Sequence, residues 1–304
     1  MAAERAGNAD ATARERRYAY GFYRVARYPA PTTPAKLDAY RRSQQWYLQL
    51  ARSFDPPLQR VRIPFPGRPG EGQAIVADLR VPRTTARPPV VIAWGGIDSF
   101  KEERLTDSYL ARGIATLAID MPGTADAPIP GSLDAERLWD PIFDWLAARD
   151  DVDGHRVAVS GNSTGGYWAL KLAHTRRDRI RAAVDHGGPA HHAFERAWIE
   201  RSEEGEYPFE LPETLAAAFG RRTREEWIEF APELSLLRLG VLDGPCAPLL
   251  LVNGVDDSVF PIADMHLLLE HGDPKTIRLY PGGHMGNAPG VQEVIVDWVA
   301  MRLA

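Results

Sequence analysis

Short, nearly continuous apolar runs separated by longer helical stretches are what most constrain this chain. Val90–Trp94, Ile114–Ile119, Val157–Val159, Ile180–Val184 and Leu249–Val252 lack the in-out alternation of a half-exposed strand. Runs of this kind suit strands buried on both faces of a parallel sheet. Between and after them the spacing predicts helices at about Lys101–Arg112, Leu133–Ala148, from Thr164 onward and Gly290–Arg302, with Thr276–Leu279 as a last strand. Two further strands, Val61–Phe65 and Ala74–Val81, flank the Gly/Pro-rich turn 66–72. Strand and helix in alternation mean an α/β fold with a mostly parallel, doubly wound sheet.

With 304 residues, the chain has room for one large domain carrying an insertion. Residues 188–243 supply it: no buried run occurs there, and Trp198, Phe209, Phe219, Trp227 and Phe230 stand among charged residues of helical spacing. Placed after a strand, such an insertion lies over the carboxyl ends of the sheet, where open α/β folds put their sites, and it reads as a helical cap. Residues 1–60 show no strand pattern, and aromatic spacings such as Tyr40/Tyr47 suggest helices packed on the main domain. The core is then 61–187 and 244–304.

A net charge of -5 argues against nucleic acid or an anionic membrane as partner. The longest apolar run, Pro89–Ile97, is far short of the roughly 20 residues that span a bilayer. The first 17 residues hold charge but no apolar stretch, so no secretory signal is read there and the expected location is the cytoplasm. The single cysteine, Cys246, cannot pair within the chain and reads as a small buried hydrophobe.

The run Gly161-Asn162-Ser163-Thr164-Gly165 follows a strand and opens a helix, which is the setting that gives G-x-S-x-G its meaning. The sharp turn lifts the Ser163 hydroxyl to a helix N-terminus, whose positive end favours developing negative charge. A serine needs a base, and the base needs an orienting acid. After Leu249–Val252 come Asp256 and Asp257 in one loop, with Asp257 better placed ahead of Pro261. After Thr276–Leu279 comes Pro281-Gly282-Gly283-His284, a histidine in a Gly-rich turn. The order Ser163, Asp257, His284 is the one this strand-turn-helix motif requires. Donors for an oxyanion are expected from the backbone N–H of Thr164 and of Gly96 or Ile97, because the paired Gly95-Gly96 lets the backbone approach closely.

Trp94, Asp98, Tyr167, His191, Glu195 and Trp198 are candidate pocket residues, and Glu195 or Asp98 could supply an extra acid. His186, His191 and His192 with Asp185 lack a recognised ligand spacing, so no metal is expected. Phosphate-loop and dinucleotide fingerprints are absent, and no cofactor is expected.

With those residues in place, the chain resembles the α/β-hydrolase superfamily over about Val61–Ala304. Within it, the chain is similar to the FrsA-like branch that includes 2,6-dihydroxypseudooxynicotine hydrolase. The branch resemblance rests on Phe22-Tyr23-Arg24-Val25-Ala26, Gly95 to Glu103, Asp120-Met121-Pro122-Gly123-Thr124 and Gly161 to Tyr167. It departs at Ala125, where glycine is common, and in a short N-terminal region. The resemblance implies hydrolysis at an ester or ketone carbonyl, including C–C cleavage of β-dicarbonyl compounds, a cap, and often a homodimer. The leading expectation is a hydrolase forming an acyl-Ser163 intermediate on a bulky apolar or aromatic small-molecule carbonyl compound. Release of a carrier-protein-bound acyl chain by transfer or cyclisation is one alternative. A non-catalytic ligand-binding protein is the other, and the intact Ser163, Asp257 and His284 argue against it.

Overall fold

A computed structural model describes residues 12–304 apart from Leu105, so the first eleven residues of the N-terminal segment and one residue of the expected helix Lys101–Arg112 lie outside the described residues. Among the described residues, eight strands form one sheet: β1 (Gln59–Pro64), β2 (Ala74–Arg80), β3 (Pro89–Trp94), β4 (Ala115–Ala118), β5 (Asp153–Asn162), β6 (Ala182–His186), β7 (Leu249–Gly254) and β8 (Lys275–Tyr280). Their spatial order is β1-β2-β4-β3-β5-β6-β7-β8. β2 runs antiparallel to both of its neighbours, and every later pairing is parallel. Each residue of β3, β4 and β7 is buried, whereas the edge strands β1 and β8 are mostly open. Central position therefore accounts for the continuous apolar runs.

Alternate residues of β3 feed two separate cores. Val90, Ile92 and Trp94 join the larger one with α4 (Asp140–Ala147) and α5 (Thr164–Thr175), while Val91 packs under α10 (Val291–Leu303). Helices thus cover both faces, as a doubly wound sheet requires.

Two expected helices are shorter than their pattern. Lys101–Arg112 breaks into a 3₁₀ turn, Lys101–Glu103, and the single-turn α3 (Asp107–Leu110). Arg104 sits between them in extended backbone, its side chain turned back onto the carbonyls of Trp94 and Phe100. The Leu133–Ala148 stretch gives a 3₁₀ turn and then α4, which starts beside Pro141, a residue that fits the first turn of a helix but not its interior. A helix absent from the sequence reading, α9 (Ile262–Leu269), fills the β7–β8 connection.

At the other end of the chain, α1 (Ala13–Ala26) begins with a capping box between Thr12 and Glu15, and α2 (Pro34–Ala51) is capped by Thr33. The two pack together through Ala19 and Trp46. Polar contacts dock the pair on the sheet domain. Tyr40 and Gln44 of α2 donate to Asp126, which also accepts from the buried Lys101 ammonium at 2.6 Å. Lys101 reaches Asp120 at 2.8 Å, and Arg60 forks onto Asp78 at 2.8 and 2.9 Å. Pairing on this scale is what makes such buried charges tolerable.

Between β6 and β7 run α6 (Arg196–Ser202), α7 (Leu211–Ala218) and α8 (Arg224–Phe230). Phe219 stacks on Trp168 of α5 at 6.2 Å and meets Trp227 at 5.2 Å, which seats this insertion on α5. Among the described residues, no helix is long and apolar enough to cross a membrane.

Candidate active site

Ser163 stands between β5 and α5 with φ 54° and ψ -134°, a strained conformation that only a tightly built turn imposes. The neighbouring glycines make it possible. A Cβ on Gly161 would lie 2.2 Å from the Gly165 carbonyl, and one on Gly165 would lie 2.2 Å from the Gly95 carbonyl. The Ser163 N–H donates to the His186 carbonyl at 2.8 Å, tying the turn to the end of β6.

His284, in the turn after β8, joins two partners. Its Nδ1 lies 2.9 Å from Asp257 Oδ2, and its Nε2 lies 2.8 Å from Ser163 Oγ. An ionised carboxylate only accepts, so the Nδ1 proton faces Asp257 and Nε2 offers its lone pair to the serine hydroxyl. Asp257 is buried and held on every side: Oδ1 accepts from the backbone of Val259 at 2.8 Å and Phe260 at 3.0 Å, and Oδ2 from Asn253 Nδ2 at 2.8 Å. Asp256, its rival in the sequence, is exposed.

Gly96 approaches the serine from the β3 loop. A Cβ at that position would come within 3.0 Å of Ser163 Cβ and 3.2 Å of its Oγ, so any larger residue would have to push the serine aside by a few tenths of an ångström. Ile97 is buried next to it, and Thr164 opens α5. The structure therefore gathers Ser163, Thr164, Gly96, Asp257 and His284 at the carboxyl ends of β3, β5, β7 and β8.

The pocket candidates divide. Asp98 lines a cleft of about 380 Å³ with Arg24, Val25, Tyr28, Ser99 and Phe209, between α1, the β3 loop and the insertion. Its carboxylate accepts from the Tyr207 hydroxyl at 3.2 Å, while burial and the Asp98 charge push the Tyr207 phenol well above its ordinary value. Trp198 donates its indole N–H to the Val259 carbonyl at 3.0 Å and so braces the Asp257 loop. Trp94 and Tyr167 are corrections: both are fully buried in the core, and the Trp94 indole donates to the Gly165 carbonyl at 2.8 Å beneath the serine turn. His191 and Glu195 face His192 and Ser235, and none of their bonds reaches Ser163, Asp257 or His284.

Four contributors had no clear signal in the sequence. Asn253 at the end of β7 is fully buried; besides its bond to Asp257, its Oδ1 accepts from Met285 at 2.9 Å and Gly254 at 2.8 Å. His186 holds the same loop from the other side, Nε2 to the Met285 carbonyl at 2.7 Å, and burial lowers its imidazole to about 4. Glu206 of the insertion accepts from the His284 backbone at 2.9 Å and from the backbone and hydroxyl of Ser258, both at 3.1 Å. Arg104 threads its guanidinium into the 94–100 loop, bonding Ser99 Oγ and the carbonyls of Trp94 and Phe100.

A family model described as "Esterase FrsA-like" matches residues 1–225. Esterase FrsA of Vibrio vulnificus (strain YJ016) is 30% identical over 177 residues, 57% of this chain and 41% of its own length. The 2,6-dihydropseudooxynicotine hydrolase of Paenarthrobacter nicotinovorans is 30% identical over 153 residues, 48% of this chain and 40% of its own. The chain thus spans about two fifths of the length of these curated relatives. Among solved structures, 2,6-dihydroxy-pseudo-oxynicotine hydrolase superposes with a TM-score of 0.80 at 22% identity, over 96% of this chain and 81% of its own. AbyA5 superposes with a TM-score of 0.77 at 24% identity, over 94% and 88%. The chain adopts the α/β-hydrolase fold and belongs to the FrsA-like esterase family.

Proposed function

We propose that this chain is a serine hydrolase cleaving an ester, or a C–C bond of a β-dicarbonyl compound, through an acyl-Ser163 intermediate. The observation that carries the reading is His284, within hydrogen-bond distance of both Ser163 Oγ at 2.8 Å and Asp257 Oδ2 at 2.9 Å. As Ser163 Oγ attacks the carbonyl carbon, His284 Nε2 takes its proton and Asp257 stabilises the resulting imidazolium. The oxyanion is received by the backbone N–H groups of Thr164 and Gly96, each worth roughly 3–4 kcal/mol in comparable enzymes. Collapse breaks the bond to the leaving group, which takes the proton from His284. Water activated by the same imidazole then frees the acid and restores Ser163.

The cleft beside Asp98 has the volume of a small-molecule site; Val25, Tyr28 and Phe209 give it an apolar, aromatic side for the bulky part of a substrate, and Arg24, Arg27, Asp98 and Glu103 give it a charged side. The insertion and the N-terminal helices act as a cap over it. For C–C cleavage the leaving carbanion or enol needs a proton, and besides His284 the candidate second acid is Asp98, which the Tyr207 hydroxyl holds at 3.2 Å. Glu195, directed elsewhere, is not.

A fluorophosphonate probe tests the reading. Labelling of the wild type and none of Ser163→Ala is expected; failure to label folded wild-type protein overturns it. Turnover of p-nitrophenyl esters set beside an aryl β-diketone separates the two leaving-group classes.

A further inference from the structure

Where β6 gives way to the insertion, a histidine pair is presented on unusually fixed backbone. The carboxylate of Asp264, buried on α9, accepts four successive backbone N–H groups: Ala190 at 2.8 Å, His191 at 3.2 Å, His192 at 2.7 Å and Ala193 at 3.3 Å. Side chains then converge from this strap and from Glu195, the residue that precedes α6. One ligand atom from each of His191, His192 and Glu195 lies within 4.8 Å of the other two. Glu195 Oε1 is 3.9 Å from His191 Nε2, and its Oε2 is 3.6 Å from His192 Nδ1.

We propose that His191 Nε2, His192 Nδ1 and the Glu195 carboxylate form a site for a divalent transition metal of the zinc class. Donor chemistry selects the ion. Two imidazoles and one carboxylate suit zinc, nickel or copper, whereas calcium takes six to eight oxygens and magnesium a near-octahedral oxygen shell. Tetrahedral zinc with bonds of about 2.0–2.1 Å has ligands about 3.3 Å apart, so side chains whose ligand atoms lie within 4.8 Å of one another close onto the ion by rotation, by at most about 1.5 Å. His191 Nδ1 is held by Ser235 Oγ at 2.7 Å, the outer hydrogen bond that orients a ligating imidazole, and the tautomer that donates to Ser235 leaves the Nε2 lone pair for the ion. All three side chains are partly exposed, which gives the ion a path in and leaves a coordination position for water. The site would staple the strap leaving β6 to the start of the first helix of the insertion.

Chelator-treated, full-length protein is titrated with zinc sulfate by calorimetry. One equivalent is expected, with X-ray absorption showing two imidazoles. Binding is expected to be lost in His192→Ala and Glu195→Ala, and weakened about tenfold or more in Ser235→Ala, each with unchanged circular dichroism. His284→Ala controls for zinc captured between the imidazole and Asp257, and should still bind one equivalent. No stoichiometric binding overturns the proposal, as does binding indifferent to His192 and Glu195 or lost only with His284.

Discussion

Glu206 Oε1 accepts the backbone N–H of His284 at 2.9 Å across 78 residues of sequence. The same oxygen accepts from the backbone and hydroxyl of Ser258, the neighbour of Asp257, so one insertion atom holds the loops of both Asp257 and His284.

Because all three bonds use one oxygen, the amide of Glu206→Gln can reproduce them with its own Oε1. That variant is expected to keep kcat/KM within about threefold of wild type. Glu206→Ala removes the acceptor, and a loss of about tenfold, or about 1.4 kcal/mol, is expected at this exposed position. Steady-state kinetics of the two variants decide the matter, and equal losses would mean that the charge, rather than the bond, is what the loops need.

Arg104 supports the other wall. Its guanidinium spans Ser99 Oγ and two carbonyls of the loop that brings Gly96 against Ser163. Arg104 reaches these acceptors from three separate guanidinium nitrogens, whereas the donors of a lysine all sit on one nitrogen and cannot span the same positions. Arg104→Lys is therefore expected to slow fluorophosphonate labelling of Ser163 by about 10–100-fold, below the full cost of losing an oxyanion donor. An unchanged labelling rate would show that the loop holds its shape without the arginine.

How far this site can be read from residues alone follows from what each side chain needs locally. The serine turn is legible because strand, glycines and helix lie within a dozen residues, and the sterics of Gly161 and Gly165 act inside that window. The same holds for the buried β3 and β7, whose runs need no distant partner to be recognised. Glu206, Arg104 and Asn253 work by bonds to loops that only the fold brings near, and an acidic, basic or amide residue in isolation carries no sign of such a bond. Trp94 reads as pocket because it borders Gly95-Gly96. In the sheet, its place in the alternation of β3 with Val90 and Ile92 sends the indole into the core beneath the turn. Lys101–Arg112 has helical spacing, but Arg104 takes extended backbone after the 3₁₀ turn, and its side chain serves the 94–100 loop instead.

Asn253 couples Asp257 to the loop of His284 through one fully buried amide. Asn253→Asp places a second carboxylate beside Asp257. The added negative charge favours the imidazolium form of His284, so the acid limb of the kcat/KM profile is expected to move to higher pH. Asn253→Leu instead leaves the Met285 N–H unbonded, with an expected stability cost of about 1–3 kcal/mol and no such displacement of the limb. A pH–rate series on the two variants separates charge from geometry, and a common shift in both would remove the electrostatic argument.

His186 makes acid stability depend on a buried neutral ring. Burial lowers its imidazole to about 4, from 6.5 for an exposed histidine, with the nearby His284 and Arg104 acting in the same direction and the Met285 bond opposing. Above pH 6.5 the ring is neutral whether the chain is folded or not. As pH falls from 6.5 toward 4, the unfolded chain takes up a proton that the folded one refuses, so stability is lost across that window at up to about 1.4 kcal/mol per pH unit. His174, also lowered to about 4 by burial, adds a loss of the same sign. Asp120 has the opposite sign: burial raises it to about 6, so stability falls as pH rises from 3.8 to 6. The net slope of the wild type mixes these groups, and the informative quantity is a difference. His186→Gln keeps an amide N–H where Nε2–H meets the Met285 carbonyl but cannot titrate. Urea unfolding from pH 4 to 7 is expected to give the variant the shallower acid-side loss, with the two curves running parallel above pH 6.5. Parallel curves over the whole range would mean that His186 binds its proton alike in both states.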